Sequence, residues 1–408
     1  MTRGDTQTIT STEGPAARSH RALLSLLWLI GMQLRLTVLA VPPVLPLIHR
    51  DLALSEKAIG ALSALPVLLL GVAAVPGSLG VSLLGARRAC LLGLAIVAVA
   101  GAARGVGPSA PMLYGMTLAM GIGIALMQPT LPTLVGEWFP TRAGFATAIY
   151  ANGLLIGEAV PAAVTIPLVL PLLGGNWGAS FVFWSVPVLL TAVLLALTTP
   201  HRARDRQVML ARWWPDWRDR RLWQVGFLLG GTGGLYFSAN AFIPDYLHAT
   251  GRPELVGPCL SALNIGQLPA SAIILMFARR LTGNRGTLTA STMLAAIGIT
   301  LFLARPDLAI VATSILGFCG GIQLVLSLAL PPLLAPSHEV HRMSAGMFAI
   351  GYLTSFAIPP LGGAIWDLTG VPAAAFAAAA ASIVLAFASA ASLSNLPRTA
   401  PAGSARHR

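Results

Sequence analysis

Two ionisable side chains lie near the middle of long apolar segments of this chain. Arg35 stands at the centre of the run 22–48, and Glu158 stands midway along the run 143–171. An arginine at the middle of a membrane helix costs about 2.5–3.5 kcal/mol on insertion scales, so such a residue is expected to have a function or a polar partner. Because the two opposite charges fall at the same depth, we expect Arg35 and Glu158 to approach each other.

The guanidinium of Arg35 presents a planar fork of N–H donors that matches a carboxylate or a similar small anion. Its functional interpretation is an anion-binding cation at the midplane of a transporter. The alternative is a structural arginine, paired permanently with Glu158 or with backbone carbonyls. Glu158 is either a proton-coupling carboxylate or only the counter-charge of Arg35. The residues alone leave both choices open.

Neutral polar side chains in other apolar runs could complete a substrate site. For each of them the alternative is a hydrogen bond between helices, of about 0.6 kcal/mol. Those predicted to bind substrate together with Arg35 are Gln33, Gln128, Tyr150, Asn152, Tyr236, Asn240 and Gln323, and the wider group adds Asn264 and Gln267. Gly153 and Gly157 have the small-x-x-x-small spacing of closely packed membrane helices, so they favour a role in packing.

The elements that carry these side chains are predicted to be membrane helices. Of the 408 residues, 55% are hydrophobic and only 10% are charged, and the mean hydropathy of +0.76 is too high for a water-soluble protein of this length. The net charge of +12 does not indicate nucleic acid as a partner, because the positive residues stand in short groups between apolar runs. The composition predicts an all-α integral membrane protein.

Clusters of charge, proline and glycine divide the sequence into segments of bilayer length. Most of the 26 Lys and Arg residues fall in loops on one side, which the positive-inside rule places in the cytoplasm together with both termini. The twelve predicted spans run at 22–48, 58–82, 88–103, 111–136, 143–171, 178–198, 222–247, 256–278, 287–303, 308–334, 343–366 and 371–394.

The longest loop between these spans is also the most basic part of the chain. Its tryptophans, interleaved with arginines, favour a segment at the level of the lipid headgroups over a nucleic-acid surface. The predicted organisation is a disordered cytoplasmic tail at 1–20, a six-helix bundle at 21–199, a basic cytoplasmic loop at 200–221, a second six-helix bundle at 222–394 and a cytoplasmic tail at 395–408.

Three short motifs follow one another near the start of the chain. They are Gly31-Met32-Gln33-Leu34-Arg35, Pro43-Val44-Leu45-Pro46 and Asp51-Leu52-Ala53-Leu54-Ser55. Their order resembles the first span and loop of a branch of the major facilitator superfamily that includes cyanate permeases and nitroimidazole exporters. The resemblance implies twelve helices in two six-helix bundles that rock to alternate access, with a cavity lined by the first, fourth, seventh and tenth spans. It also implies that Arg35 is the arginine of the family's first-span motif, in which Gln33 replaces an asparagine.

These observations predict a secondary transporter of a small anion or of a small polar heteroaromatic compound, coupled to protons or to exchange, in a bacterial cytoplasmic membrane. The alternatives are a membrane-embedded ligand sensor and an exporter of neutral compounds of the multidrug type. A sensor needs a soluble output domain and an enzyme needs a nucleophile or metal cluster, and the sequence indicates neither. We expect no cofactor, no nucleic-acid partner and a monomer that contacts only its small-molecule substrate and the lipid bilayer.

Overall fold

The computed structural model describes residues 15–54, 56–107, 109–199 and 213–393, and within these ranges every regular element is a helix. Short 3₁₀ or π-helical turns join several of the α-helices. In chain order the α-helices are α1 (Pro15–Leu39), α2 (Leu45–Leu52), α3 (Glu56–Val72), α4 (Ala74–Leu84), α5 (Ala86–Ala103), α6 (Ala110–Trp138), α7 (Ala143–Val164), α8 (Leu170–Leu172), α9 (Trp177–Thr198), α10 (Arg220–Ala249), α11 (Val256–Ile265), α12 (Gln267–Leu281), α13 (Arg285–Ala304), α14 (Ala309–Ala329), α15 (Pro331–Leu334), α16 (Val340–Thr369) and α17 (Ala377–Ser392).

The helices coincide with the predicted membrane spans. Ten helical segments of the described residues are long and apolar enough to cross a membrane, and α3 and α4, bent by 53° at the break between them, supply an eleventh. The remaining predicted span, 222–247, lies within α10, a helix of 30 residues that includes Tyr236 and Asn240. The prediction of an all-α membrane protein with twelve spans is therefore confirmed.

The predicted tails and loop agree with the structure only in part. α1 begins at Pro15, inside the predicted tail 1–20, because proline is tolerated in the first turn of a helix and the alanines after it favour helix. The rest of that tail (1–14), most of the predicted loop (200–212) and the predicted tail 395–408 lie outside the described residues. The division into two bundles stays a prediction.

Prolines and glycines end or bend the helices. α1 ends at Leu39 because Pro42 and Pro43, which open the next 3₁₀ turn, have no amide hydrogen to continue the ladder. Gly85 joins α4 to α5 with a φ of 80°, a conformation that residues with a side chain rarely adopt. Pro161 lies inside α7, shortly before a π-helical turn. These breaks leave Arg35 and Glu158 each within about one turn of a disruption in its own helix.

Contacts between the two predicted halves run through α16 and α7. α16 packs against α3, α4 and α6, and α7 packs against α12 and α14. We define the linker end as the end of the molecule at which residues 213–219 lead into α10. There Ser78 of α4 donates a hydrogen bond to the carbonyl oxygen of Trp213 at 2.8 Å, and Arg342 of α16 donates to that of Trp214 at 3.1 Å. Both halves therefore hold this segment.

Candidate functional site

The site begins with an unusually close contact between α1 and α7. Three glycines line this contact: Gly31 of α1, and Gly153 and Gly157 of α7. A Cβ atom on any of them would overlap a backbone carbonyl oxygen of the facing helix, that of Tyr150, Trp28 or Met32 respectively. The two backbones touch, as the spacing of Gly153 and Gly157 predicts. This contact brings the next residue along α7, Glu158, beside Arg35.

Arg35 and Glu158 form an ion pair at the interior of the protein. The Nε atom of Arg35 lies 3.3 Å from Oε1 of Glu158, and the two side chains retain only 10% and 17% of their exposure to solvent. The charges thus approach each other as their common depth in the sequence predicts. Removing either partner would leave the other buried without compensation, which is strongly unfavourable in a medium of low dielectric constant.

A tyrosine from the other half completes the surroundings of Arg35. The Nη2 atom of Arg35 donates a hydrogen bond to the hydroxyl of Tyr352 at 3.2 Å, and the guanidinium carbon lies 5.9 Å from the centroid of that ring. Tyr352 belongs to α16, so the buried cation contacts both halves of the molecule. Sequence reasoning did not select Tyr352. The signal that could have found it is a hydroxyl-bearing ring near the middle of the span 343–366.

A chain of polar groups on α10 and α11 continues from the charged pair. Tyr236 of α10 interacts electrostatically with Arg35, and its hydroxyl donates a hydrogen bond to Oδ1 of Asn264 at 2.6 Å. The Nδ2 atom of Asn264 donates in turn to Oδ1 of Asn240 at 3.2 Å. Asn264 is exposed, so this chain of hydrogen bonds connects Tyr236 with the exposed part of α11. The predicted site residues Tyr236 and Asn240 therefore lie close together through their bonds to Asn264.

Asn152 joins the two halves on another side. Its Oδ1 atom accepts a hydrogen bond from the indole Nε1 of Trp28 at 2.9 Å, and its Nδ2 atom donates to the hydroxyl of Ser271 at 2.6 Å. Ser271 belongs to α12, whereas Trp28 and Asn152 belong to α1 and α7. The predicted substrate residue Asn152 thus makes a contact that must change if the halves move apart.

The structure does not bring Gln33 or Gln323 to the charged pair. Gln33 donates a hydrogen bond to Thr191 of α9 at 2.9 Å, inside the first half. Gln323 of α14 accepts one from Thr232 of α10 at 2.7 Å, inside the second half. Each of these glutamines makes the helix-to-helix bond that is the common fate of such side chains in membranes.

Gln128 and Tyr150 each have a buried polar atom without a partner. Both are buried, and neither the Oε1 atom of Gln128 nor the hydroxyl of Tyr150 has a hydrogen-bond partner among the described residues. A buried polar atom without a partner is costly, and it often marks a place where water or a ligand binds. Tyr150 lies on α7 two turns before Glu158, on the helix that faces Arg35.

The arrangement offers one buried cation, one carboxylate and several neutral donors and acceptors where the two halves meet. Such a site can bind an anion or a polar aromatic molecule. Because Arg35 contacts both halves, a ligand that binds Arg35 can change how the two halves pack against each other. These features define a helical membrane carrier with a charged internal site.

The chain belongs to the Major Facilitator Superfamily. The model of that family matches residues 27–281, which is more than half of the chain and includes Arg35, Glu158 and Tyr236. The chain is a transporter and not an enzyme, in keeping with the family and with its relatives.

Relatives of similar length support the narrower resemblance to cyanate and nitroimidazole transporters. The chain is 26% identical to the 2-nitroimidazole transporter of Escherichia coli (strain K12), over 89% of this chain and 92% of that protein. It is 25% identical to the cyanate transport protein CynX of the same strain, over 85% of this chain and 91% of that protein. Identity to the uncharacterized transporter YycB of Bacillus subtilis (strain 168) is 28%, over 86% and 89% of the two chains.

Solved structures share the fold at lower sequence identity. The human organic anion transporter MFSD10 (TETRAN) superposes with a TM-score of 0.72 and 18% identity, covering 93% of this chain and all of that one (100%). The proton:xylose symporter XylE superposes with a TM-score of 0.74 and 14% identity, covering 91% and 95% of the two chains. At these identities the similarity shows the fold alone.

Proposed function

We propose that the chain carries a small anion across the membrane by alternating access, with Arg35 as the binding cation and Glu158 as the coupling carboxylate. The observation that carries this proposal is a buried guanidinium that bonds to Glu158 in one half and to Tyr352 in the other. An intramembrane arginine is costly, so its presence favours a functional role. The planar fork of the guanidinium also matches carboxylates and other small anions in geometry as well as in charge.

The coupling follows from the balance of charge at the site. Without substrate, Arg35 and Glu158 neutralise each other. An anion that binds Arg35 adds a second negative charge beside Glu158, and two like charges in a buried site cannot both remain ionised at low cost. Uptake of one proton by Glu158 restores neutrality. The site therefore carries one proton with each monovalent anion.

The relatives support the choice of a small substrate, and two of them supply probes for this site. One is a cyanate transport protein and the other transports 2-nitroimidazole. Cyanate is a monovalent anion that requires a cation, as Arg35 provides. A neutral nitroimidazole would instead use the phenol and amide groups of Tyr236, Asn240 and Asn264, which form a continuous chain of hydrogen bonds beside Arg35. This chain is the observation that favours a polar heteroaromatic compound as the second candidate substrate.

The test is uptake of cyanate and of 2-nitroimidazole into proteoliposomes by the wild-type protein and by Arg35→Gln. A hydrogen bond to a charged group contributes about 1.5–3 kcal/mol, so loss of the guanidinium should weaken cyanate binding by about ten- to 100-fold. Arg305→Gln is the matched control, since that arginine is exposed and pairs with Asp307 in a loop. Normal cyanate uptake by Arg35→Gln would refute the anion site. Uptake of 2-nitroimidazole alone, equal in both proteins, would establish the second candidate instead.

The coupling role of Glu158 has a separate test. Cyanate uptake by the wild type should rise as the external pH falls, because each anion enters with a proton. Glu158→Gln should bind cyanate but show no dependence on pH and no accumulation against a cyanate gradient. Asp245→Asn removes an exposed carboxylate near the end of α10 and should behave as the wild type. Proton-coupled accumulation of cyanate by Glu158→Gln would refute the coupling role and leave Glu158 only as the counter-charge of Arg35.

We further propose that the protein is a monomer in a bacterial cytoplasmic membrane with both termini in the cytoplasm. The excess of Lys and Arg in loops at the linker end supports this orientation. Because all three native cysteines are buried, a single cysteine introduced in the tail 395–408 can report the side on which it lies. Labelling of that cysteine from outside intact cells by a membrane-impermeant maleimide would refute the orientation.

A further inference from the structure

Arg104 is a second buried arginine, which the sequence places in a loop. It follows the last residue of α5, yet its side chain is only 1% exposed. No carboxylate among the described residues forms an ion pair with it, and its Nε and Nη1 atoms have no hydrogen-bond partner there. A buried cation so incompletely compensated is not expected to stabilise the fold. It therefore calls for another explanation.

The remaining contacts of Arg104 point to the end of α1. Its Nη2 atom donates a hydrogen bond to the carbonyl oxygen of Thr37 at 2.9 Å. The face of its guanidinium lies against the ring of Phe181 of α9, with 4.6 Å between the guanidinium carbon and the ring centroid. Arg104 thus joins the end of α1 to α5 and α9.

The carbonyl oxygen of Thr37 needs an outside donor because of the prolines that follow α1. In a continuous helix the carbonyl oxygen of Thr37 would accept a hydrogen bond from the amide of Val41. That amide donates instead to the carbonyl oxygen of Val38 at 3.3 Å. Pro42 and Pro43 have no amide hydrogen and cannot repair the end of the ladder. A cation at this position also complements the negative end of the helix dipole. Arg104 is therefore a side-chain cap for the C-terminus of α1.

The capped carbonyl lies two residues after Arg35. We propose that Arg104 is a positioning residue for the anion site, which it serves by fixing the end of α1 and hence the direction of the Arg35 guanidinium. The packing supports this role: a Cβ on Gly101 of α5 would come within 2.6 Å of the Ser185 hydroxyl of α9 and 3.5 Å of the Thr37 methyl group. The end of α1 thus rests on α5 and α9 at the point where Arg104 holds it. This inference rests on the proposal that Arg35 binds the anion.

Without the cap, the end of α1 can take several positions, of which only some align Arg35 with an anion. Apparent affinity falls in proportion to the aligned fraction, whereas turnover at saturation does not. Arg104→Gln should therefore raise the KM for cyanate about tenfold, corresponding to an aligned fraction of about one tenth, and leave the maximal rate within about twofold. Arg104→Lys, which keeps the charge and can still donate to the carbonyl oxygen of Thr37, should restore most of the affinity.

Arg87 provides the matched control. It lies at the other end of α5 and also donates to the last turn of a helix, from Nη2 to the carbonyl oxygen of Ala196 of α9 at 2.8 Å. Arg87→Gln should lower thermal stability at least as much as Arg104→Gln without raising the KM. Phe181→Leu, which removes the ring behind the guanidinium, should raise the KM in the same direction by a smaller factor. It carries the test if Arg104→Gln does not fold.

Two further measurements separate positioning from a general structural effect. Hydrogen exchange at amides 38–41 should accelerate in Arg104→Gln and not in Arg87→Gln, whether or not ligand is present. In the Arg35→Lys background, where a flexible ammonium needs no alignment of a fork, Arg104→Gln should change the KM by less than about twofold. Unchanged exchange, or an equal rise in KM for the two α5 variants, would overturn the role of Arg104 alone. Normal transport by Arg35→Gln would overturn both proposals together.

Discussion

The close contact between α1 and α7 offers a direct test of the ion pair. Gly157→Ala places a methyl group where the carbonyl oxygen of Met32 now lies, so the two helices must move apart locally by roughly 1 Å. Glu158 is the next residue of α7 and moves with it. Arg35 still bonds to Tyr352, and the end of its helix is still held by the bond from Arg104 to the carbonyl oxygen of Thr37. The substitution should therefore stretch the pair from the side of Glu158.

The size of the effect follows from the distance within the pair. At an effective dielectric constant of about 20, two unit charges 3.3 Å apart attract by about 5 kcal/mol, and about 1 Å of extra distance removes about 1 kcal/mol of this. In the Gly157→Ala protein without substrate, the ion pair is therefore weaker by this energy. An anion that displaces Glu158 from Arg35 then meets a weaker competitor, so cyanate should bind about fivefold more tightly.

Calorimetric titration with cyanate and the midpoint of thermal unfolding check both parts of this prediction. Gly157→Ala should show a lower unfolding midpoint together with a smaller Kd for cyanate. Gly115→Ala in α6 is the control, because a Cβ there meets nothing within 4 Å and alanine favours helix over glycine by up to about 1 kcal/mol. A Kd for cyanate that is unchanged or larger in a destabilised Gly157→Ala protein would refute the view that Glu158 and the anion compete for Arg35.

Two other contacts across the halves lead to predictions. Tyr352→Phe removes the hydroxyl that accepts from Nη2 of Arg35 but keeps the ring, so the ligand-free protein loses that bond and cyanate, which supplies a new acceptor, should bind about two- to tenfold more tightly. An unchanged Kd by the same titration would exclude Tyr352 from the site. Arg342→Gln breaks the bond to the carbonyl oxygen of Trp214 and should loosen the linker end. A single cysteine introduced at Thr282, which faces Gly144 across the halves, should then react faster with a hydrophilic maleimide. Equal rates in the parent and in Arg342→Gln would contradict a closing role for Arg342.

The pairing of Arg35 with Glu158 could be predicted from sequence because depth in a membrane helix is readable from position in an apolar run. The face of the helix is harder to read. Gln33 and Arg35 are two residues apart, which is about 200° around an α-helix, so they cannot both point to one site. Gln33 was nevertheless predicted to bind substrate with Arg35, whereas the structure shows it bonded to Thr191 of α9. The bond of Gln323 to Thr232 could not be predicted without knowing which helices lie on each side of α14.

The roles of Tyr352 and Arg104 could not be predicted from their positions in the sequence. A tyrosine in an apolar span reads as an ordinary aromatic residue until the packing of α16 against the first half brings its hydroxyl to Arg35. Arg104 reads as a loop cation because it stands just past a short span. Its burial results from the packing of α5 against α1 and α9, and its partner is a backbone carbonyl that two prolines leave without a donor. Both roles arise from tertiary contacts between distant parts of the chain.

The contacts that join the halves are suited to a molecule that must open and close. Those nearest the site are hydrogen bonds that end on neutral groups, from Arg35 to Tyr352 and from Asn152 to Ser271. A typical hydrogen bond contributes only about 0.5–1.5 kcal/mol net, so a few of them hold one state against another by a few kcal/mol. A ligand can shift an equilibrium of that size by binding the two states with different affinity. The ion pair of Arg35 with Glu158 lies between α1 and α7 within the first half, so it need not break when the halves move. In the cycle that we propose, the pair changes only when an anion or a proton arrives, and Arg35, which also bonds to Tyr352, passes this change to the contacts between the halves.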